Sequence, residues 1–140
     1  MMTTPRLHLF TGALALIGAL TLAACGANSS GSASIDLSPA GAEGQSLALS
    51  NGCASCHGTS GQGGVGPPFV GLYNSQVELD DGSVVTADRD YLIESIKDPA
   101  AKQVAGYRLP MPTNQLTDDE IDLIVTYIEE LAQPTEGATP

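Results

Sequence analysis

Between Thr117 and Leu131 the residues Ile121, Ile124, Val125, Ile128 and Leu131 recur at helical spacing. That spacing gathers one face of an α-helix. Thr117 and Glu120 stand at capping-box spacing at its start, and Pro134 ends it. This helix is the best-defined element the pattern predicts. Upstream, Leu92, Ile93 and Ile96 repeat the helical period between Asp88 and Lys97, and Pro99 closes that segment. A further helix is predicted from Ser38-Pro39, an N-cap with proline at the first helical position, to about Ser50, where Asn51-Gly52 stops it. Elsewhere the period changes. The stretch "VELDDGSVVTAD", Val77 to Asp88, alternates apolar and polar residues around Asp81-Gly82 and predicts a small β-hairpin. Residues 58–73 form a glycine-rich loop, and a long loop carries Tyr107 to Asn114. The predicted class is mostly α, with one small hairpin and no internal repeat.

The first 25 residues have a different pattern. Arg6 is followed by an apolar stretch from Leu7 to Ala24 that holds no Asp, Glu or Lys. It reads as an export signal and is only marginally long enough to span a bilayer. Leu22-Ala23-Ala24-Cys25 resembles the lipobox of bacterial lipoproteins. That resemblance implies cleavage before Cys25 and a lipid on its thiol. The alternative is an uncleaved membrane helix in which Cys25 is incidental. Both readings place the soluble part outside the cytoplasm, periplasmic or on the outer face, and attached to a membrane. Residues 26–38, "GANSSGSASIDLS", are small and polar. They read as a flexible linker whose coil spans about 20 Å. The expected organisation is a signal over 1–24, a lipidated Cys25 and linker over 25–38, a folded domain over 39–133 and a tail over 134–140.

Composition narrows the function. The chain carries 16 acidic against 5 basic residues, a net charge of −11, with no Lys/Arg cluster. Nucleic-acid binding is therefore not expected. Removal of residues 1–24 would take Arg6 away, leaving the other four basic side chains and a charge of −12. It would also leave one histidine, His57, and one methionine, Met111, with Cys53 and Cys56 as the free thiols. There is no tryptophan, and aromatics make up 4% of the chain. So thin a core would gain from a covalently tied prosthetic group.

Cys53, Cys56 and His57 lie in "NGCASCHGTSGQGG". Three chemistries use such a cluster. A thioredoxin-like dithiol needs a strand–helix unit in an alternating α/β chain, which this pattern lacks. Structural zinc wants four ligands, and there is no second Cys pair to complete the set. Cys-x-x-Cys-His is also the attachment signature of a c-type haem. There the two thiols form thioethers with the two haem vinyl groups, and His57 reaches the iron as an axial ligand. One motif implies one haem. Met111, between Pro110 and Pro112, is the one thioether left after cleavage and the candidate for the other axial position. The alternative for Met111 is a gap-filling core residue. Tyr107 and Arg108 are candidate contacts to a haem propionate, although Tyr107 could equally only pack. Phe69, Val70 and Leu72 are expected as pocket walls. No Ser/His/Asp arrangement remains, and the glycines lack the ending of a phosphate loop.

Several short motifs together resemble class I cytochromes c: Cys53-Ala54-Ser55-Cys56-His57-Gly58, Gly66-Pro67, Gly71-Leu72, Met111-Pro112 and Tyr127. The resemblance covers roughly residues 40–133. Within it, "GPPFVGLY", "VELDDGSVVTADRDYLIESIKDP" and "GYRLPMP" are most similar to the cytochrome c domain fused to subunit II of some haem–copper oxidases. No copper-centre domain precedes it, so the expectation is a stand-alone lipoprotein. The resemblance implies helices packed around covalent haem. It also implies that the Pro67 carbonyl accepts the ring N–H of His57. Ala48 and Leu49 stand where that family often has an aromatic, which implies looser packing of the first helix on Tyr127. The function so implied is a membrane-anchored mono-haem carrier, not an enzyme, passing single electrons between respiratory complexes through a basic or apolar docking patch on its partners. The alternatives are a fixed electron-transfer subunit of an oxidase or dehydrogenase, and a sensor or peroxidase-like protein with an exchangeable sixth ligand.

Overall fold

The computed structural model describes residues 35–132. The signal segment, Cys25, the linker as far as residue 34, Pro134 and the tail lie outside the described residues. The described chain is mostly helical with one two-stranded antiparallel sheet. In order it runs α1 (Pro39–Ser50), α2 (Ala54–His57), β1 (Gln76–Glu78), β2 (Val84–Thr86), α3 (Arg89–Lys97) and α4 (Asp118–Leu131). No helix among the described residues is long and apolar enough to cross a membrane.

Caps set the helix ends. Ser38 Oγ accepts the Gly41 N–H at 3.1 Å and starts α1, with Pro39 in the first turn. Asp88 Oδ1 accepts the Tyr91 N–H at 2.9 Å and starts α3. At α4 the Thr117 hydroxyl accepts from the Glu120 N–H, and the Glu120 carboxylate accepts from the Thr117 N–H at 2.8 Å. That closes a reciprocal capping box. In the hairpin, Val77 pairs with Val85, and the turn is closed by Leu79 N–H to Ser83 O and Gly82 N–H to Leu79 O. The expected apolar set of α3 changes by one residue: Tyr91, Leu92 and Ile96 are buried, and Ile93 is half-buried.

Helices α1 and α4 form the main helix–helix contact. It is close where looser packing was expected. A Cβ on Gly44 would lie 2.0 Å from the Leu123 carbonyl oxygen, so the two backbones nearly touch there. Tyr127 is 2% exposed. Its aromatic neighbour comes from the glycine-rich loop, not from α1: Phe69 meets it edge-on, with centroids 6.4 Å apart. Ser38 also bonds the Glu130 carboxylate through its N–H and its hydroxyl, which pins the start of α1 to the end of α4. Arg89 bridges α3 to Asp122 and Glu129 of α4, and Lys97 meets Asp118. Exposed pairs of this kind contribute up to about 1 kcal/mol each. The hairpin does more than fill space. Leu79 bridges Val104, the Asp80 N–H donates to the Gln103 carbonyl, and the Ala105 N–H donates to the Glu78 carbonyl. These bonds fasten the segment that leads into the 107–114 loop.

Two expectations follow. Gly44→Ala should destabilise the holo-protein by about 1–3 kcal/mol through overpacking, although alanine is the better helix former. A thermal midpoint equal to or above wild type would contradict the close contact. The second concerns Glu120, whose pKa is held below the usual carboxylate value by the Thr117 backbone N–H and hydroxyl. A depressed folded pKa gives stabilisation that is complete above the unfolded value of about 4.3 and is lost as pH falls through the folded value. Glu120→Ala should therefore unfold at lower temperature than wild type at neutral pH, and the gap should narrow in acid. An undiminished gap in acid would overturn this.

Candidate functional site

The chain leaves α1 through Asn51-Gly52 and turns at once into α2. The Cys53 N–H bonds the Ala48 carbonyl at 3.0 Å, and the His57 N–H bonds the Cys53 carbonyl at 3.0 Å. One helical turn thus carries Cys53, Cys56 and His57. Both cysteines are half-buried free thiols. Burial pushes the Cys53 thiol pKa up, a neighbouring Cys56 thiolate would push it further, and a backbone hydrogen bond only partly offsets both. A redox dithiol needs the opposite shift. The turn also follows a helix, and the sheet is a separate hairpin, so the strand–helix setting of a thioredoxin site is absent among the described residues. Zinc fares no better: no group of three or more His, Cys, Asp or Glu among the described residues is placed to hold a metal ion.

His57 is 8% exposed. Its ring stacks on Phe69 with centroids 4.4 Å apart and planes 17° apart. Its Nδ1 lies 2.7 Å from the Pro67 carbonyl oxygen. A carbonyl can only accept, so Nδ1 carries the proton and Nε2 keeps its lone pair. Burial lowers the His57 pKa, and the Pro67 bond only partly restores it. The ring is therefore neutral at physiological pH, the form in which imidazole binds metals.

The loop that presents Pro67 is knitted to α2 by backbone bonds. The Gly63 N–H donates to the His57 carbonyl at 2.7 Å, and the Gly66 N–H to the Cys56 carbonyl at 3.0 Å. Gly66 brings the loop close to the site: a Cβ there would sit 3.1 Å from His57 Cε1 and 3.3 Å from Cys56 Cβ, a tight fit.

These groups open on a cavity of about 490 Å³, within the range of about 300–1,000 Å³ usual for ligand sites. Cys53, Cys56, His57, Pro67, Phe69, Leu72, Leu92, Ile96, Ile124, Ile128 and Met111 all line it. Met111 is half-buried and packs on the core as well. Tyr107 lies on the wall, whereas Arg108 is exposed and stands off it. Cys25 lies outside the described residues.

Three wall residues carried no signal in the sequence pattern. Asn114 Nδ2 donates to the Ile96 carbonyl at 2.7 Å, and its Oδ1 accepts the Leu116 N–H at 3.2 Å. It ties the Met111 loop to the end of α3. Tyr91 and Lys102 also reach the wall. Their arrival depends on the hairpin and the α3–loop packing, which no local spacing encodes.

The donor set fits a covalently held haem. Two thiols, an imidazole with its Nε2 free and a thioether share one largely apolar cavity. Redox-dithiol and zinc chemistry each lack a required feature there.

Comparison with known proteins agrees with this donor set. No curated protein matches the chain. Residues 41–132 match the cytochrome c family. That span takes in every site residue described above and implies covalently bound haem c. The chain belongs to the cytochrome c family, as a haem-containing electron-transfer protein.

Proposed function

We propose that the protein is a membrane-anchored mono-haem cytochrome that carries single electrons between respiratory complexes. One observation carries the reading: Cys53, Cys56, His57 and Met111 face one cavity, and the Pro67 carbonyl leaves His57 only its Nε2 to offer. Haem, when bound, supplies an iron centre that takes up and releases one electron. Cys53 and Cys56 would hold it through thioether bonds. His57 Nε2 and the Met111 sulfur would bind its iron, and the Pro67 carbonyl, which fixes the imidazole, would raise its basicity. Phe69, stacked on His57, limits ring rotation and excludes water. A thioether favours ferrous iron and so raises the potential. With both axial positions filled, no site is left for a substrate.

The cavity rim supports an apolar docking face. Val65, Val70 and Leu109 line the cavity yet are 53%, 47% and 63% exposed. Partners that present a matching apolar patch with basic surroundings suit this rim and the net negative charge of the chain. The lipobox-like Leu22-Ala23-Ala24-Cys25 and the polar linker support an extracytoplasmic location, with the domain tethered near a membrane.

Met111 tests the carrier reading. Acid–acetone should leave haem on the polypeptide, and the oxidised protein should show the weak far-red iron–sulfur band. Met111→Ala should bind carbon monoxide readily, where wild type resists it. Met111→His should stay six-coordinate with a much lower potential, since axial ligands act across a range of about 0.8 V. Rapid carbon monoxide uptake by the unmutated ferrous protein, without that band, would replace the carrier with a sensor or peroxidase-like protein.

The anchor has its own test. Intact mass of membrane-extracted protein should show residues 1–24 missing and acyl mass added at Cys25. Two or three chains are expected, since one myristoyl-sized chain holds only marginally. Full-length mass, with Cys25→Ser equally well retained in the membrane, would make the segment a plain transmembrane anchor.

A further inference from the structure

Part of the cavity wall carries polar groups that neither the thioether links nor the axial pair uses. Tyr91 is 8% exposed and lies on that wall. Its backbone N–H bonds the Asp88 carboxylate. Its hydroxyl has no hydrogen-bond partner among the described residues, yet no buried side-chain polar atom there is sealed off without one. The hydroxyl is therefore not sealed inside the core, and it belongs to a residue that lines the cavity. A buried phenol normally bonds its hydroxyl to something.

Lys102 stands beside it. Its Nζ lies 6.0 Å from the Tyr91 ring centroid and pairs with Glu94. One of its three N–H donors meets Glu94, which leaves two. The lysine is not free to wander. Gln103, next in the chain, bonds the Pro99 carbonyl through Nε2, and its own carbonyl takes the Asp80 N–H from the hairpin. Among the described residues Lys102 is the one lysine or arginine on the cavity wall. The other charged wall residue, Glu78, would repel an anion.

Haem has two polar ends, both carboxylates. Burying a carboxylate against an apolar wall is costly unless a cation or strong donors meet it. We propose that Tyr91 and Lys102 form an anion-binding corner that receives a carboxylate of the porphyrin, with Glu94 as the counter-charge that holds Lys102 in position. The proposal rests on the haem reading of the cavity. It gives the cavity a polar end and moves the propionate contact from Arg108, which stands off the wall, to residues on it.

The test uses holo-protein matured with haem labelled with ¹³C at its carboxylates, so that Glu94 and other protein carboxylates stay silent. Subtracting the oxidised-minus-reduced infrared spectrum of the unlabelled protein from that of the labelled one cancels the protein bands and reports the haem carboxylates alone. Lys102→Gln and Tyr91→Phe should each shift the labelled carboxylate band. Lys102→Arg should keep it near wild type, and Arg108→Gln should leave it unchanged. Lys102→Gln should also lower the midpoint potential, because loss of a nearby cation favours ferric iron. Tyr91→Phe removes a single oxygen from the core, so it reports even where Lys102→Gln matures poorly. Suppose the variants keep thioether-linked haem and the far-red band, yet Lys102→Gln and Tyr91→Phe leave the labelled band in place, or Arg108→Gln moves it. The corner is then wrong and the carrier reading stands. A wild type without thioether-linked haem overturns both.

Discussion

The hydrogen bond from His57 Nδ1–H to the Pro67 carbonyl, 2.7 Å long, joins a helical turn to a loop with no regular structure of its own. It acts on both sides. On the histidine it selects one tautomer, leaving Nε2 as the only lone pair the ring can offer. On the loop it fixes the point from which Phe69 returns to stack on the same imidazole. The backbone bonds from Gly63 and Gly66 to the α2 turn make the arrangement stiff. A metal ligand set is only as rigid as the groups behind it. Here they are backbone atoms, which cannot change rotamer.

Rigidity has to come from such bonds because the apolar inventory is small. The core is built from α4, the inner faces of α1 and α3, and the hairpin, and a cavity of about 490 Å³ opens beside it. The glycine contact between α1 and α4 lets those helices close without large side chains between them. Phe69 then supplies the aromatic surface that α1 lacks: it stacks on His57 and meets the buried Tyr127 edge-on. The same ring that shields the imidazole therefore also packs the core.

Local features of the chain were legible in the sequence, and long-range placement was not. Helix starts could be read because Ser38, Asp88 and Thr117 act within one turn of themselves. Cys53, Cys56 and His57 could be read for the same reason: their chemistry lies in their spacing. Met111 stood out because it is the one methionine after Met2. Tyr91 and Lys102 could not be read, since they meet only after the hairpin has bound residues 103–105. The placement of Arg108 could not be read for the converse reason. Its neighbour Tyr107 reaches the wall while Arg108 stays exposed, and adjacent residues in a loop have no fixed period to separate them. The expected slackness around Tyr127 failed because a missing aromatic in one element was supplied from another.

The charge distribution then separates two tasks on the surface. Arg89, Lys97 and Lys102 are each tied to carboxylates, and among the described residues Arg108 alone among the lysines and arginines makes no ion pair. The pairs leave most of the 16 acidic residues uncompensated. The long-range field is therefore negative, and it weakens over a Debye length of about 10 Å at 0.1 M salt. The rim formed by Val65, Val70 and Leu109 has no formal charge. Its contribution to a contact is removal of apolar surface from water, which salt does not screen. In the tethered carrier proposed above, the linker would supply proximity to membrane partners, so steering over long distances would add less than for a freely diffusing one. Selection among partners would then rest mainly on the fit of the uncharged rim that lines the cavity.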